Sequence, residues 1–183
     1  MLSRYYDGCA MILMNGKVLA QGSQFSLTDV ETVVATVDIE EVRSYRFAPS
    51  RGHQAVQALA YERIETEFPL SDDTFYRDIN LCPTPARQVR YHVPEEEIAL
   101  GPACWMWDFL RRSKTSGYLV PLSGGIDSCA TSVLVFSMCR EVIKAIKQNN
   151  AQVIQDVQRI TKQSPDWKPE SAEDLCNRIF HTV

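Results

Sequence analysis

The hexapeptide Ser123-Gly124-Gly125-Ile126-Asp127-Ser128 holds the residue types that can grip an anion at close range. Adjacent glycines let the backbone approach a bound group more closely than any residue with a Cβ. Backbone N–H groups at a helix start aim partial positive charge at that group. Ser123 and Ser128 add hydroxyl donors for phosphate oxygens, and Asp127 is a hard oxygen ligand suited to Mg²⁺ held against them. The chemistry this implies is ATP binding. No lysine follows the glycines, so the loop does not fit G-x-x-x-x-G-K-[ST], and γ-phosphate transfer of the Walker type is not expected. A bare Gly-Gly pair would suit an ordinary strand-to-helix turn with a Ser or Asp cap. The filled hexapeptide between a strand and a long helix favours the phosphate.

The flanking elements must position that loop. Gly117 precedes the apolar run Tyr118, Leu119, Val120 and Leu122, which reads as a short buried strand. Residues 129–147 follow without proline or glycine, a helix of about five turns with Asp127 or Ser128 expected at its cap. Its first half, 129–139, is nearly apolar all round, whereas Arg140, Glu141, Lys144 and Lys147 give the second half a wet face. The start is therefore expected to be buried, as in a crossover helix lying on a parallel sheet.

Upstream of the strand, Pro94-Glu95-Glu96-Glu97 puts acid in the first turn of a helix, where the dipole favours it. Gly101-Pro102 is expected to break that helix, with Pro102 restarting it. Trp105, Trp107 and Phe109 then read as core packing rather than a base-stacking platform. Downstream, Val153, Val157 and Ile160 mark an amphipathic helix. Ser171-Ala-Glu-Asp174 caps another helix, in which Leu175 and Ile179 share a face.

At the other end of the chain, 9–14 and 17–21 flank Asn15-Gly16, a strong hairpin signal. Residues 32–39 are rich in β-branched side chains and predict a third strand, and 40–46 a short helix or turn. Between Phe47 and His92 the pattern loses periodicity and gathers Pro49, Pro69, Pro83 and Pro85 with Ser50, Ser71, Asp72 and Asp73, which reads as a connector holding a helix near 55–62. Arg63, Arg87 and Arg90 in this stretch read as solvated or locally paired.

Composition narrows the classes. The 183 residues are 45% hydrophobic with a net charge of -4 and no basic stripe, so nucleic acid and anionic membrane surfaces are not expected partners. No apolar run reaches the roughly twenty residues that span a bilayer, and the first residues lack the apolar core of a signal peptide. The six cysteines, Cys9, Cys82, Cys104, Cys129, Cys139 and Cys176, form no C-x-x-C pair, and His53, His92 and His181 cluster with none of them. Reduced thiols in a cytoplasmic protein are the expectation, without a zinc site.

The loop 123–128 resembles the pyrophosphate loop of N-type ATP pyrophosphatases, which cleave ATP between its α and β phosphates to adenylate a substrate. Tyr6-Asp7-Gly8-Cys9-Ala10, the hairpin 14–21 and Thr36-Val37-Asp38-Ile39-Glu40 resemble the closing strands of a nitrilase-type amidase. The two together, with the helix start at Pro94-Glu95-Glu96-Glu97 and Leu110-Arg111-Arg112-Ser113, are similar to the glutamine-dependent NAD synthetase family, in which a nitrilase-like glutaminase precedes an ATP pyrophosphatase-type synthetase. The resemblance implies an α/β fold: the C-terminal strands of a nitrilase-like sandwich in 1–47, a connector in 48–92, and in 93–183 the start of a doubly wound, adenine-nucleotide α-hydrolase-like domain.

It further implies that ATP activates the carboxylate of deamido-NAD as an AMP ester, which ammonia from glutamine displaces to give NAD. On this resemblance Pro121, Leu122, Ser123, Gly124, Gly125, Ile126, Asp127 and Ser128 form the ATP loop. Ser123 takes the place of the synthetase-site serine, Asp127 contacts Mg²⁺, and the full-length family assembles as homo-oligomers. The amidase Glu, Lys and Cys would lie upstream of Met1, and Cys9 is not that nucleophile.

One strand and about three helices after the connector do not close a doubly wound sheet. The chain reads as a piece lacking both ends, expected to bind ATP weakly and to turn over neither glutamine nor deamido-NAD. The rival reading is a non-catalytic truncated product that at most binds ATP or joins full-length subunits. Guanylate synthetases and tRNA-thiolating enzymes use a similar loop, but the preceding hairpin does not belong to them.

Overall fold

The computed structural model describes residues 9–68 and 82–183, a mixed α/β chain. Tyr6, Asp7 and Gly8 of the amidase-like stretch, and Pro69, Ser71, Asp72 and Asp73 of the connector, lie outside them. Chain contacts group into two compact units, one of Ala10–Gly22 with Thr32–Val89, the other of Met1–Cys9, Ser23–Glu31 and Arg90–Val183.

In the first unit, β1 (Met11–Met14) and β2 (Lys17–Gln21) form the antiparallel hairpin, with Met11 opposite Gln21 and a register shift between Ile12 and Leu13. Asn15 and Gly16 both take positive φ, +48° and +78°, the mirror-image turn whose twist matches a hairpin. Val18, Leu19 and Ala20 are buried, and Arg87 donates its N–H to the Val18 carbonyl at 2.9 Å.

The strand expected over 32–39 does not form. Thr36 is held by Thr84, whose N–H donates to the Thr36 carbonyl at 2.9 Å and whose Oγ1 accepts from the Thr36 N–H at 2.9 Å, with no ladder beyond. Branched side chains favour strands by packing on a pleated surface. Val34 stands 76% exposed and has none to pack on. Asp38 accepts from the Glu40 N–H and opens helix α1 (Ile39–Arg46). Helix α2 covers Pro49–Gln57, earlier than the 55–62 expected, because Pro49 supplies a first-turn residue.

The second unit has α3 (Pro94–Ser113), β3 (Tyr118–Val120), α4 (Ile126–Lys147), α5 (Ala151–Thr161), α6 (Ala172–Ile179) and β4 (Phe180–Thr182). Strands β3 and β4 pair in parallel, Tyr118 opposite Phe180 and Val120 opposite Thr182, with the three helices α4 to α6 between them in sequence. Trp107, Leu110, Val135, Met138, Val142, Val153, Val157, Ile160, Leu175 and Ile179 make the core. Asn150 and Ser171 cap α5 and α6, each accepting a backbone N–H three residues on.

Pro102 does not break α3, which runs unbroken for 20 residues. The ring removes one donor, but Ser137 on α4 donates Oγ–H to the neighbouring Ala99 carbonyl at 3.0 Å, and buried Gly101 and Ala103 share that stretch of the helix. Trp107 enters the core, 1% exposed, whereas Trp105 and Phe109 do not, each 47% exposed with rings 6.0 Å apart. The start of α4 is also bare. Ile126 and Val133 are 83% and 66% exposed, and its buried residues begin at Val135.

Candidate functional site

Strand β3 delivers the chain to the loop, and β4 fixes where it arrives. The Leu122 N–H donates to the Val183 carbonyl at 3.0 Å, carrying the pairing one bond beyond the two strands. Tyr118 Oη donates to the Met106 carbonyl at 2.7 Å and ties β3 to α3, with burial pushing its phenol well above the usual range. Sequence reading missed β4, because Phe180–Thr182 follows α6 without a turn residue and three residues carry no readable period.

Past Pro121 and Leu122 the backbone turns at Gly124, whose φ of +80° lies in the left-handed region, with open space where a Cβ would stand. Gly125, at φ -79°, is the N-cap of α4 and offers no side-chain cap. Asp127 and Ser128, the expected caps, are instead inside the first turn. Ser128 Oγ donates back to the Gly125 carbonyl at 2.9 Å and lies 3.4 Å from Ser123 Oγ. Ser123 Oγ accepts only a long bond, 3.4 Å, from the Gly125 N–H.

This arrangement leaves donors pointing outward. The first helix-start amide to close is Cys129 N–H on the Gly125 carbonyl at 3.3 Å. The amides of Gly124, Ile126, Asp127 and Ser128 take no partner among the described residues. Pro121 through Asp127 are exposed and Ser128 half-buried, so the structure brings the eight loop residues together on one accessible ridge at the positive end of a 22-residue helix. Thr131 and Ser132 donate back to the Asp127 and Ser128 carbonyls at 2.9 and 2.8 Å, so these hydroxyls are spent within the helix.

The donor set fits a phosphate chain. For Mg²⁺ the loop offers the single exposed carboxylate of Asp127, and among the described residues no three His, Cys, Asp or Glu side chains gather to hold a metal. A lone carboxylate would suit Mg²⁺ only where a bound anion supplied further oxygens. The Cys104 thiol is pushed up to about 11, chiefly by burial, and burial raises the Cys139 thiol further still, so both stay protonated at neutral pH. None of the six cysteines is in a disulfide, and no helix among the described residues is long and apolar enough to cross a membrane.

No family model matches the chain. It is 58% identical over 180 residues to the glutamine-dependent NAD(+) synthetase of Saccharomyces cerevisiae, with 97% of this chain and 25% of that protein aligned. The human and Drosophila melanogaster proteins of the same name are 51% and 46% identical over 179 residues, each with 97% of this chain aligned and with 25% and 22% of their own lengths covered. Over nearly its whole length the chain is similar to glutamine-dependent NAD(+) synthetases. It spans about a quarter of the length of these NAD(+) synthetases. The matched region takes in the loop, which lies well inside the chain, and most of the hairpin's unit as well.

Proposed function

We propose that residues 121–128 are the ATP site of a glutamine-dependent NAD(+) synthetase, the grip on the β and γ phosphates that leave as pyrophosphate when a carboxylate is adenylated. The observation that carries it is the set of unpartnered amides at Gly124, Ile126, Asp127 and Ser128 beside the hydroxyls of Ser123 and Ser128. On this reading 1–47 are the C-terminal part of a nitrilase-like glutaminase, 48–92 a connector, and 93–183 the start of a doubly wound synthetase domain. The whole protein amidates deamido-NAD to NAD in the cytoplasm, with ammonia drawn from glutamine. It is a ligase forming a C–N bond.

Each residue then has a stated task. Gly124 lets the backbone turn so that its own amide and those at the start of α4 face one anion. Ser123 donates its O–H to a phosphate oxygen as charge builds on the leaving group, Ser128 does so once its bond to the Gly125 carbonyl is given up, and Asp127 would hold the Mg²⁺ that arrives with ATP. Mg²⁺, when bound, neutralises phosphate charge. No covalent nucleophile is required, since adenylation rests on alignment and on stabilising the departing charge.

The chain by itself is a binder rather than a catalyst. Loop and first turn stand in solvent, with Leu119 66% and Leu122 45% exposed beside them, so among the described residues no wall excludes water from a reacting centre. Calorimetry with ATP and Mg²⁺ tests the assignment. Wild type should bind weakly, Gly124→Ala and Asp127→Ala more weakly, and pyrophosphate should displace ATP where inorganic phosphate does not. Equal heats for all three proteins would remove the loop from the argument, and NAD formation by the isolated chain would overturn the binder reading.

A further inference from the structure

Helices α4 and α6 of the second unit pack on one another and bring two thiols together that the nucleotide site does not use. Cys139 on α4 is wholly buried in the core, and Cys176 on α6 is half-buried at its edge, one residue past buried Leu175. The two sulfurs are hydrogen-bonded to each other. Burial raises both thiols above the ordinary range, and their mutual bond raises Cys139 further while opposing the rise at Cys176. Cys139 is therefore the S–H donor, and Cys176 is the sulfur that ionises first. Neither is in a disulfide, and among the described residues no third His, Cys, Asp or Glu joins them to hold a metal.

We propose that Cys139 and Cys176 form a redox-modification site, oxidised by hydrogen peroxide to a reversible disulfide that links α4 to α6. Cys176, the sulfur nearer solvent, attacks one peroxide oxygen as thiolate. The S–O bond forms, the O–O bond breaks, and the departing hydroxide takes up the thiol proton as water. Cys139 then attacks the sulfur of the Cys176 sulfenic acid. The S–S bond forms, the S–O bond breaks, and a second water leaves with the Cys139 proton. Each sulfur gives up one electron, and one peroxide becomes two waters. Burial keeps the thiolate scarce, so the first step is slow and needs sustained exposure to the oxidant. The second is fast, because its partner is already in contact. The link would tie together the elements on either side of the loop, since α4 starts at its end and α6 runs directly into β4. The inference rests on the cysteine pair and is independent of the ATP reading.

Treating the folded 183-residue chain with millimolar hydrogen peroxide and mapping its peptides without reductant tests the site. A peptide joining Cys139 to Cys176 should accumulate, the linked chain should melt about 5 °C higher than the reduced one, and dithiothreitol should reverse both. The two single variants test the order of attack. In Cys139→Ala, dimedone should trap a sulfenic acid at Cys176, whereas in Cys176→Ala position 139 should stay a thiol. That asymmetry is not expected of two buried sulfurs reacting on their own. Cys82 and Cys129, both exposed, report that the oxidant has acted. Oxidation of those two in the wild type with no 139–176 peptide, or that peptide formed only above the melting transition, would overturn the proposal.

Discussion

Arg111 on α3 grips Asp29 across 82 residues of sequence with two parallel bonds, Nη2 to Oδ1 at 2.6 Å and Nη1 to Oδ2 at 3.0 Å. The same guanidinium reaches Asp108 at 3.1 Å and Asp156 at 3.5 Å and its side chain is 13% exposed, so three carboxylates surround one half-buried fork. Residues 23–31 are thereby fastened to α3. Asn150 donating to Thr28 Oγ1 at 3.2 Å fastens the same segment to α5.

The Asp29 bond should be lost in acid. The hydrogen bond from Arg111 holds the Asp29 carboxyl below its ordinary value. A carboxyl lowered in the folded state contributes stability above its unfolded pKa of about 4, and that contribution fades as pH falls through the lower folded value. Protection against amide exchange in 23–31, taken relative to the intrinsic rate at each pH, should therefore fall below about pH 4 in the wild type, and Asp29→Asn should show the lower protection already at neutral pH. Asp29 is half-exposed, so the cost to overall stability should be about 1 kcal/mol or less. Unchanged exchange in the variant would mean that the bond does not hold the segment.

Gly124→Ala and Gly125→Ala separate backbone strain from crowding. At Gly124 nothing lies within 4 Å of a built Cβ, so alanine there costs only the left-handed conformation, about 1 kcal/mol. At Gly125 φ is -79° and the nearest contact is Ser123 Oγ at 3.4 Å, so alanine should be tolerated. Thermal melts should rank Gly124→Ala below Gly125→Ala. The loss of ATP binding should follow the same order, since relaxing φ at Gly124 turns an amide away from the site.

Leu110 is completely buried between the helices of the second unit. Leu110→Ala should cost about 3 kcal/mol in urea denaturation, transfer and cavity terms together, whereas Phe109→Ala next to it should cost well under half as much. Equal losses would mean that the outward face of α3 is also covered in solution.

The loop and its two flanking elements were legible because their signals are local. A glycine pair, a short apolar run and an uninterrupted helix each announce themselves within a few residues, and so do the Asn15-Gly16 turn and the Ser171 cap. What sequence reading misplaced depends on contacts that the sequence does not write down. Propensity suggested a strand at 32–39 where there is no neighbouring edge, and a break at Pro102 where Ser137 from another helix supports the carbonyls. Aromatic composition suggested three core residues, when the 3.6-residue period turns Trp107 inward and Trp105 and Phe109 out. The start of α4 was expected to be buried because 129–139 is nearly apolar all round, but an apolar surface does not name the element that would cover it, and Ile126 and Val133 stand exposed among the described residues.

Gly117 tests whether the β3–β4 pairing sets up the loop. A Cβ built there lands on the carbonyl of Ile179, the last residue of α6, well inside van der Waals contact with backbone that cannot rotate away. Gly117→Ala must therefore push β3 from β4 or shift α6, and Ile179 is itself wholly buried in the core. The expected cost is about 3 kcal/mol in urea denaturation. A second effect follows at the nucleotide. With β4 displaced, the Val183 carbonyl no longer anchors the Leu122 N–H, so the loop loses its fixed point of departure and ATP affinity should fall further than with Gly125→Ala. A Gly117→Ala protein of wild-type stability that still bound ATP normally would show that the loop holds its shape without the paired strands.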